Sequence, residues 1–465
     1  MKRIFMNYRI ITGLMTIVIF SVMEMSCRMS GGGKTAAGGQ SEKPALNALD
    51  AYIHNNDPSF RWDIDSYSTS DYGTDCVVNM VSQTWHDIVW KHTMYVIEPA
   101  KLTNPNHCVL FITGGSNGSG PRESEMRSAQ LIAKLSGMYV AVLWQVPNQP
   151  LLGDFTEDGL ITETFLKALD TKDMSWPLLF PMAKSAVRAM DAVQELLGEH
   201  RNRNIRGFVV FGASKRGWTT WMTAATKDSR VVAIAPMVIN ILNMQPQTEY
   251  QMSNWGYYSE QIVDYYNRKL LVGQLDPNAS KEEKELREDL WQIIDPYFYR
   301  DRITIPKLLI HGTNDRYWNL DATKFYWNDL AGAKFILTLP NVGHNLGDER
   351  DKALTTVAAY AKLISDGGDL PYMQWKEEAG ADRYTLSVTS NIPAKGAKLL
   401  VAYNEGRDFR EAKWNPTGLQ PLQGGTGNFR AAIPKPESGH VAFYIEIETE
   451  YEGIPCSLTT EVFNP

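Results

Sequence analysis

Three residues stand in an order and in local contexts that could do nucleophilic chemistry: Ser214, Asp315 and His344. Ser214 lies in Phe211-Gly-Ala-Ser-Lys-Arg-Gly-Trp-Thr-Thr220, directly after the apolar run Gly207-Phe-Val-Val-Phe211 and before a segment, 218–226, that reads as a helix. A serine at a strand-to-helix turn between small residues is the layout of a nucleophile elbow. Small neighbours let the chain turn sharply, and the hydroxyl is left exposed above the sheet. That hydroxyl is a poor nucleophile until a base takes its proton, so the reading demands a histidine and a carboxylate. Asp315 sits in Ile310-His-Gly-Thr-Asn-Asp-Arg-Tyr317 and His344 in Pro340-Asn-Val-Gly-His-Asn345, each just after a strand-like apolar run. Asp315 would orient the imidazole and stabilise its cation, while His344 would take the serine proton and return it to the leaving group. His54, His86, His92, His107, His200, His311 and His440 compete for the role of base, but none follows both the serine and a strand-end aspartate within the same sheet. His311, the nearest rival, belongs to the strand before Asp315 and is read as a packing residue.

The charge that develops on a carbonyl oxygen must also be met. The amide of Lys215, next after the serine, is one expected donor, and the loop Thr113-Gly-Gly-Ser116 should supply the other through Gly114 or Gly115. One departure stands out. A nucleophile elbow ordinarily reads G-x-S-x-G, whereas here Arg216 occupies the second glycine position and the glycine is delayed to Gly217. Bulk at that place is awkward in so tight a turn. Arg216 is expected to face the substrate, together with Trp218 and, further along, Trp255.

The elements that would position these residues are legible as periodicity. Continuous apolar runs at 107–113, 138–144, 208–211, 231–235, 307–311 and 334–339 alternate with amphipathic stretches at 128–135, 184–197 and 353–364. Unbroken apolar strands separated by helices predict a mostly parallel sheet covered on both faces. Paired, alternating strands are expected at 76–84 and 90–99, after a helix over 45–54. With the order serine, aspartate, histidine, this is the plan of an α/β-hydrolase rather than of chymotrypsin or subtilisin. The stretch 240–301 interrupts the rhythm with helical, aromatic-rich sequence and reads as a cap over the C-terminal edge of the sheet. Three domains follow: a signal peptide and flexible linker over 1–40, a hydrolase domain over 41–368 and a C-terminal domain over 369–465. In the last of these, alternating runs with turn residues between them predict an antiparallel, sandwich-like β structure.

Lys2, Arg3 and Arg9 precede an apolar run over 10–23, then small and polar residues and a Gly/Ser-rich stretch. This is the pattern of a secretory signal, and the run is short for a membrane span of roughly 20 residues. Cys27, after Ser26, stands where a bacterial lipoprotein would be acylated, although Glu24 replaces the usual leucine. The expected destination is the cell envelope or the exterior, with membrane attachment through a lipidated Cys27. The remaining Cys76, Cys108 and Cys456 have no metal-ligand spacing. A net charge of −7 argues against nucleic acid as a partner. No phosphate-binding loop, dinucleotide fingerprint or H-E-x-x-H is present, so neither cofactor nor metal is implied.

Ser82-Gln-Thr-Trp85, Gly114-Gly-Ser-Asn117, Gln145-Val-Pro-Asn-Gln-Pro150, Trp176-Pro-Leu-Leu179 and Gly212-Ala-Ser-Lys-Arg-Gly-Trp-Thr-Thr-Trp221 occur in sequential order. In these the chain resembles the PhoPQ-activated pathogenicity-related family from about residue 45 onward. The resemblance implies an exported, α/β-hydrolase-like protein without a defined substrate. The elbow alone is also similar to that of glucuronoyl esterases, G-C-S-R-x-G, with Ala213 and Lys215 in place of its Cys and Arg. The residues point first to hydrolysis of a carboxylic ester, of a small molecule or on a carbohydrate. A peptidase acting on peptides, or a binding and signalling protein on a hydrolase scaffold, remain as alternatives.

Overall fold

The computed structural model describes residues 44–422 and 427–465; the expected signal, the linker and Cys27 lie outside the described residues. The chain opens with α1 (Pro44–Ile53), β1 (Arg61–Ser70), β2 (Gly73–Trp85), β3 (Ile88–Pro99) and β4 (Asn104–Ile112). Then come α2 (Glu123–Ser136), β5 (Met138–Leu143), α3 (Glu157–Thr171), α4 (Leu179–Arg201), β6 (Gly207–Ala213), α5 (Lys215–Ala225) and β7 (Val231–Met237). The interrupting stretch carries α6 (Met244–Trp255), α7 (Val263–Asn267) and α8 (Lys281–Ile294), after which β8 (Lys307–Gly312), β9 (Lys334–Leu339) and α9 (Arg350–Asp366) resume the alternation.

These strands lie in the order β1-β2-β3-β5-β4-β6-β7-β8-β9. Neighbours from β5 to β9 are parallel, and β3 runs antiparallel to β5. This is the α/β-hydrolase arrangement, with β1 as an additional edge strand. Period-two alternation explains the two-sided burial. Cys108, Leu110 and Ile112 of β4 and Phe208 and Val210 of β6 enter the core under α1, α3, α4, α5 and α8. Val109, Phe111, Val209 and Phe211 face the opposite core, beneath α2 and α9. Strands apolar on both faces therefore belong to a sheet covered on both faces, as their sequence demanded.

The last part of the chain adds β10 (Met373–Ala379), β11 (Arg383–Ser390), β12 (Gly396–Asn404), β13 (Asn415–Gly418), β14 (Phe429–Pro434), β15 (His440–Tyr451) and β16 (Ile454–Thr459). Two layers form, as a sandwich requires. β10, β11 and β14 make a separate antiparallel sheet, and Leu386, Val388 and Ile433 pack from it against Phe443 and Ile445 of β15. The second layer is not a sheet of its own. Beyond β9 the large sheet continues as β16-β15-β12-β13, joined where Thr459 pairs with Ile336 and its hydroxyl accepts from the Thr338 amide at 3.1 Å. Residues 43–465 thus form one compact unit. Cys76, Cys108 and Cys456 are free thiols.

Candidate active site

The serine follows β6, the aspartate β8 and the histidine β9, so three parallel strands of one sheet deliver the three groups to the same edge. Ser214 caps the N-terminus of α5 with φ 56° and ψ −124°. A non-glycine residue held there costs about 1–3 kcal/mol, which the surrounding structure must offset. Its amide donates to Met237 O at 2.9 Å, fixing the turn against β7. Behind it, the hydroxyls of Thr219, Thr220 and Thr223 donate one turn back along α5, which lets three threonines lie buried in a helix.

His344 Nε2 lies 2.8 Å from Ser214 Oγ, and His344 Nδ1 lies 2.8 Å from Asp315 Oδ2. Asp315 is buried, and its other oxygen accepts the Tyr317 amide at 2.9 Å. With Nδ1–H donated to the carboxylate, Nε2 is left basic and faces the hydroxyl. The Tyr317 ring lies against the imidazole at 4.3 Å between centroids. The two loops approach closely because Gly312 has no side chain: a Cβ there would stand 2.4 Å from Val342 O. The 405–414 loop, between β12 and β13, braces both loops. Asn314 donates to Arg410 O and Ala412 O, and Asn341 exchanges hydrogen bonds with the backbone of Trp414. His311 is buried within β8, and burial pushes its imidazole down to about 4, against the pull of Asp315.

The shifted glycine has a steric explanation. A Cβ on Gly212 would meet Arg216 O at 2.7 Å and Arg216 Cβ at 2.9 Å, and one on Gly114 would meet Arg216 Nη2 at 2.4 Å. Arg216 therefore fits because two glycines make room for it, while Gly217 lets α5 close onto Met237 O and Gly212 O. Arg216 was expected to face the substrate, and it lines a recess beside His344. Its guanidinium is bidentate to Glu157 at 2.8 Å and 2.8 Å and donates to Val146 O at 2.6 Å, which anchors it to the scaffold. Burial would raise the Glu157 carboxyl, but the Arg216 hydrogen bonds and the charges of Arg216 and Lys215 hold it at about 2. Lys215 is likewise paired, with Asp158 at 2.9 Å and Glu157 at 3.5 Å.

The stretch 240–301 lies over Ser214 and, with α3 and α5, borders a narrow, mostly apolar cleft. Trp218 is almost fully buried at its floor, its indole N–H donating to Ile294 O at 2.7 Å. Trp255 is not brought to the cleft. The last turn of α6 directs it toward the loop after β12, where the Arg410 guanidinium stacks 4.1 Å from its ring. It is a docking residue between α6 and the 405–414 loop. Gly114 borders a second recess, with Ala213 and His344, and Gly115 packs on the Trp144 indole. Among the described residues no cluster of His, Cys, Asp and Glu could hold a metal ion.

Glu157, Asp158, Tyr265 and Tyr317 were not anticipated from the sequence. The first two open α3, and a carboxylate pair at a helix start was the available signal.

The sequence pattern of the PhoPQ-activated pathogenicity-related proteins matches residues 49–410. The chain belongs to this family. Autocrine proliferation repressor protein A of Dictyostelium discoideum is 29% identical over 437 residues, covering 87% of this chain and 86% of that one. Among solved structures, acetyl xylan esterase 1 of a Thermoanaerobacterium species is 18% identical, with a TM-score of 0.46 over 68% of this chain and 92% of that one. A Paenibacillus acetyl xylan esterase is 16% identical, with a TM-score of 0.48 over 67% and 92%. Several motifs that carried the resemblance to the family serve the scaffold here. Ser82 and Gln83 tie β2 to Ser185 and Pro181 O of α4. Trp176 stacks on His86 at 3.7 Å, and Asn148 bridges the backbone of Lys91.

Proposed function

We propose that this chain is an exported serine hydrolase that cleaves carboxylic esters through Ser214, His344 and Asp315. The observation that carries the reading is the unbroken hydrogen-bonded line from Ser214 Oγ through His344 to Asp315, at 2.8 Å on each side. As Ser214 Oγ bonds to the ester carbonyl carbon, its proton passes to His344 Nε2, and Asp315 stabilises the imidazolium. The Lys215 amide, first in α5 and without an intrahelical acceptor, meets the new oxyanion, assisted by the positive end of the helix. Gly114 and Gly115 are the proposed source of the second donor. The tetrahedral centre collapses, the C–O bond to the alcohol breaks, and His344 protonates the departing oxygen. Water, deprotonated by His344, then releases the acid and restores Ser214.

The test is labelling with a fluorophosphonate probe and peptide mapping of the adduct. A single adduct at Ser214, absent in Ser214→Ala, is expected; a folded protein that takes no label overturns the reading. The same groups could cleave an amide, and release of peptide fragments would distinguish that outcome. The name of the Dictyostelium relative favours a second reading, a signalling protein on a hydrolase scaffold. A biological effect that survives in Ser214→Ala would support it. Export and acylation of Cys27 belong to the proposal; mass spectrometry of the mature N-terminus from a bacterial host checks both.

A further inference from the structure

The cap cleft has a chemical character that neither the motif nor the relatives' names specify. Ile241, Leu270, Leu271, Val272, Phe165 and Ile294 supply its walls, and Ser214 stands at its edge. Most of its polar side chains are already engaged, the Trp318 indole N–H being an exception without a hydrogen-bond partner. Gln247 donates to Leu242 O at 2.6 Å, and Gln251 donates to Tyr317 O at 2.9 Å and accepts the Ser259 amide at 3.0 Å. Asp158 is bonded to Lys215 Nζ at 2.9 Å and to Tyr265 OH at 3.0 Å, which neutralises the charges at the rim. The Trp291 indole N–H is donated to Leu270 O at 3.1 Å. A sugar ring entering here would exchange its many hydrogen bonds with water for few, at a cost, whereas hydrocarbon would lose nothing.

The position of His344 decides which half of an ester enters. His344 lines the other recess, with Ala213 and Gly114, and it must reach the alcohol oxygen to protonate it. The alcohol therefore leaves on that side, and the cap cleft faces the acyl half. We propose that the cleft is an acyl site for an aliphatic chain of several carbons or an aromatic ring, so that the ester consumed carries a hydrophobic acyl group rather than acetate. This rests on the serine-hydrolase reading above.

The test is a series of p-nitrophenyl esters with acyl chains of increasing length, each compared with Ser214→Ala. Every methylene taken into the cleft should raise kcat/KM about three- to four-fold until the cleft is full. Val272→Trp, which fills part of the cleft from its wall, should move the optimum to shorter chains, and fluorophosphonate labelling of Ser214 in that variant verifies an intact site. Ser214-dependent turnover that is fastest on acetate, or an acyl profile that Val272→Trp leaves unmoved, overturns the acyl site. Calorimetric titration of Ser214→Ala with p-nitrophenyl octanoate reads the cleft without turnover. Binding there that Val272→Trp weakens, with no ester cleaved by the parent, keeps the apolar site and overturns the hydrolase reading. No octanoyl binding overturns the site itself.

Discussion

Replacing Gly114 by alanine tests the explanation of the displaced elbow glycine. The added methyl would stand 2.4 Å from Arg216 Nη2 and 2.6 Å from Cζ. An unstrained contact needs roughly 3.5 Å, so the guanidinium must retreat by about 1 Å and its bonds to Glu157 leave hydrogen-bond range. A hydrogen bond to a charged group contributes about 1.5–3 kcal/mol. Water replaces part of that here, because Glu157 keeps 39% of its side-chain surface exposed while Arg216 keeps 10%. The net loss is about 2 kcal/mol, below the 3–5 of a fully buried pair. For a chain of this length that lowers Tm by about 2 °C. Arg216→Ala removes the same pair and also the obstacle. The double variant should therefore be no less stable than Arg216→Ala alone, a coupling of about 2 kcal/mol. Urea unfolding followed by tryptophan fluorescence, with calorimetric melting, measures all three proteins. Strict additivity, or a Gly114→Ala protein as stable as the parent, refutes the reasoning.

Other consequences are checked more simply. Asp315→Asn should lower kcat about 10⁴-fold on any ester that the parent cleaves, because the amide no longer selects the tautomer with a basic Nε2; a loss below tenfold in steady-state assays counts against the assigned role. Burial raises the Asp295 carboxyl from 3.8 to about 7, against the favourable amides of Met244, Tyr297 and Asn243. Its folded value lies above its unfolded one, so its contribution is full below the unfolded value and lost as pH rises through about 7. Asp295→Asn should then be most deficient in stability at about pH 4 and least so at about pH 8; a urea series in which the deficit widens with pH refutes this. Deleting residues 369–465 removes the pairing at Ile336 and the braces on Asn314 and Asn341. That truncation should yield no soluble, protease-resistant hydrolase portion, and a stable, fluorophosphonate-reactive fragment would contradict it.

The two-faced apolar strands were readable because β4 to β9 are buried on both sides, and burial of that kind leaves continuous runs in the chain. β1 left no such mark. Most of its residues are exposed, so it reads as polar and irregular, and only pairing with β2 makes it a strand. The start of α3 was missed in the same way, and with it the Glu157 that occupies Arg216.

What the sequence determined by itself was local. A serine between small residues after an apolar strand, and an aspartate and a histidine after later strands, follow from turn sterics and burial acting on neighbouring residues. What only the tertiary structure decided was relational. Arg216 turned inward because Gly114, about 100 positions away, left space and Glu157 offered a carboxylate. Trp255 turned from the cleft because Arg410 supplied a cation for its ring. The C-terminal strands extended the large sheet because β9 presented an unpaired edge, and an exposed edge favours whatever strand can cover it. Each outcome depends on a partner remote in the chain, and no local pattern encodes which partner arrives.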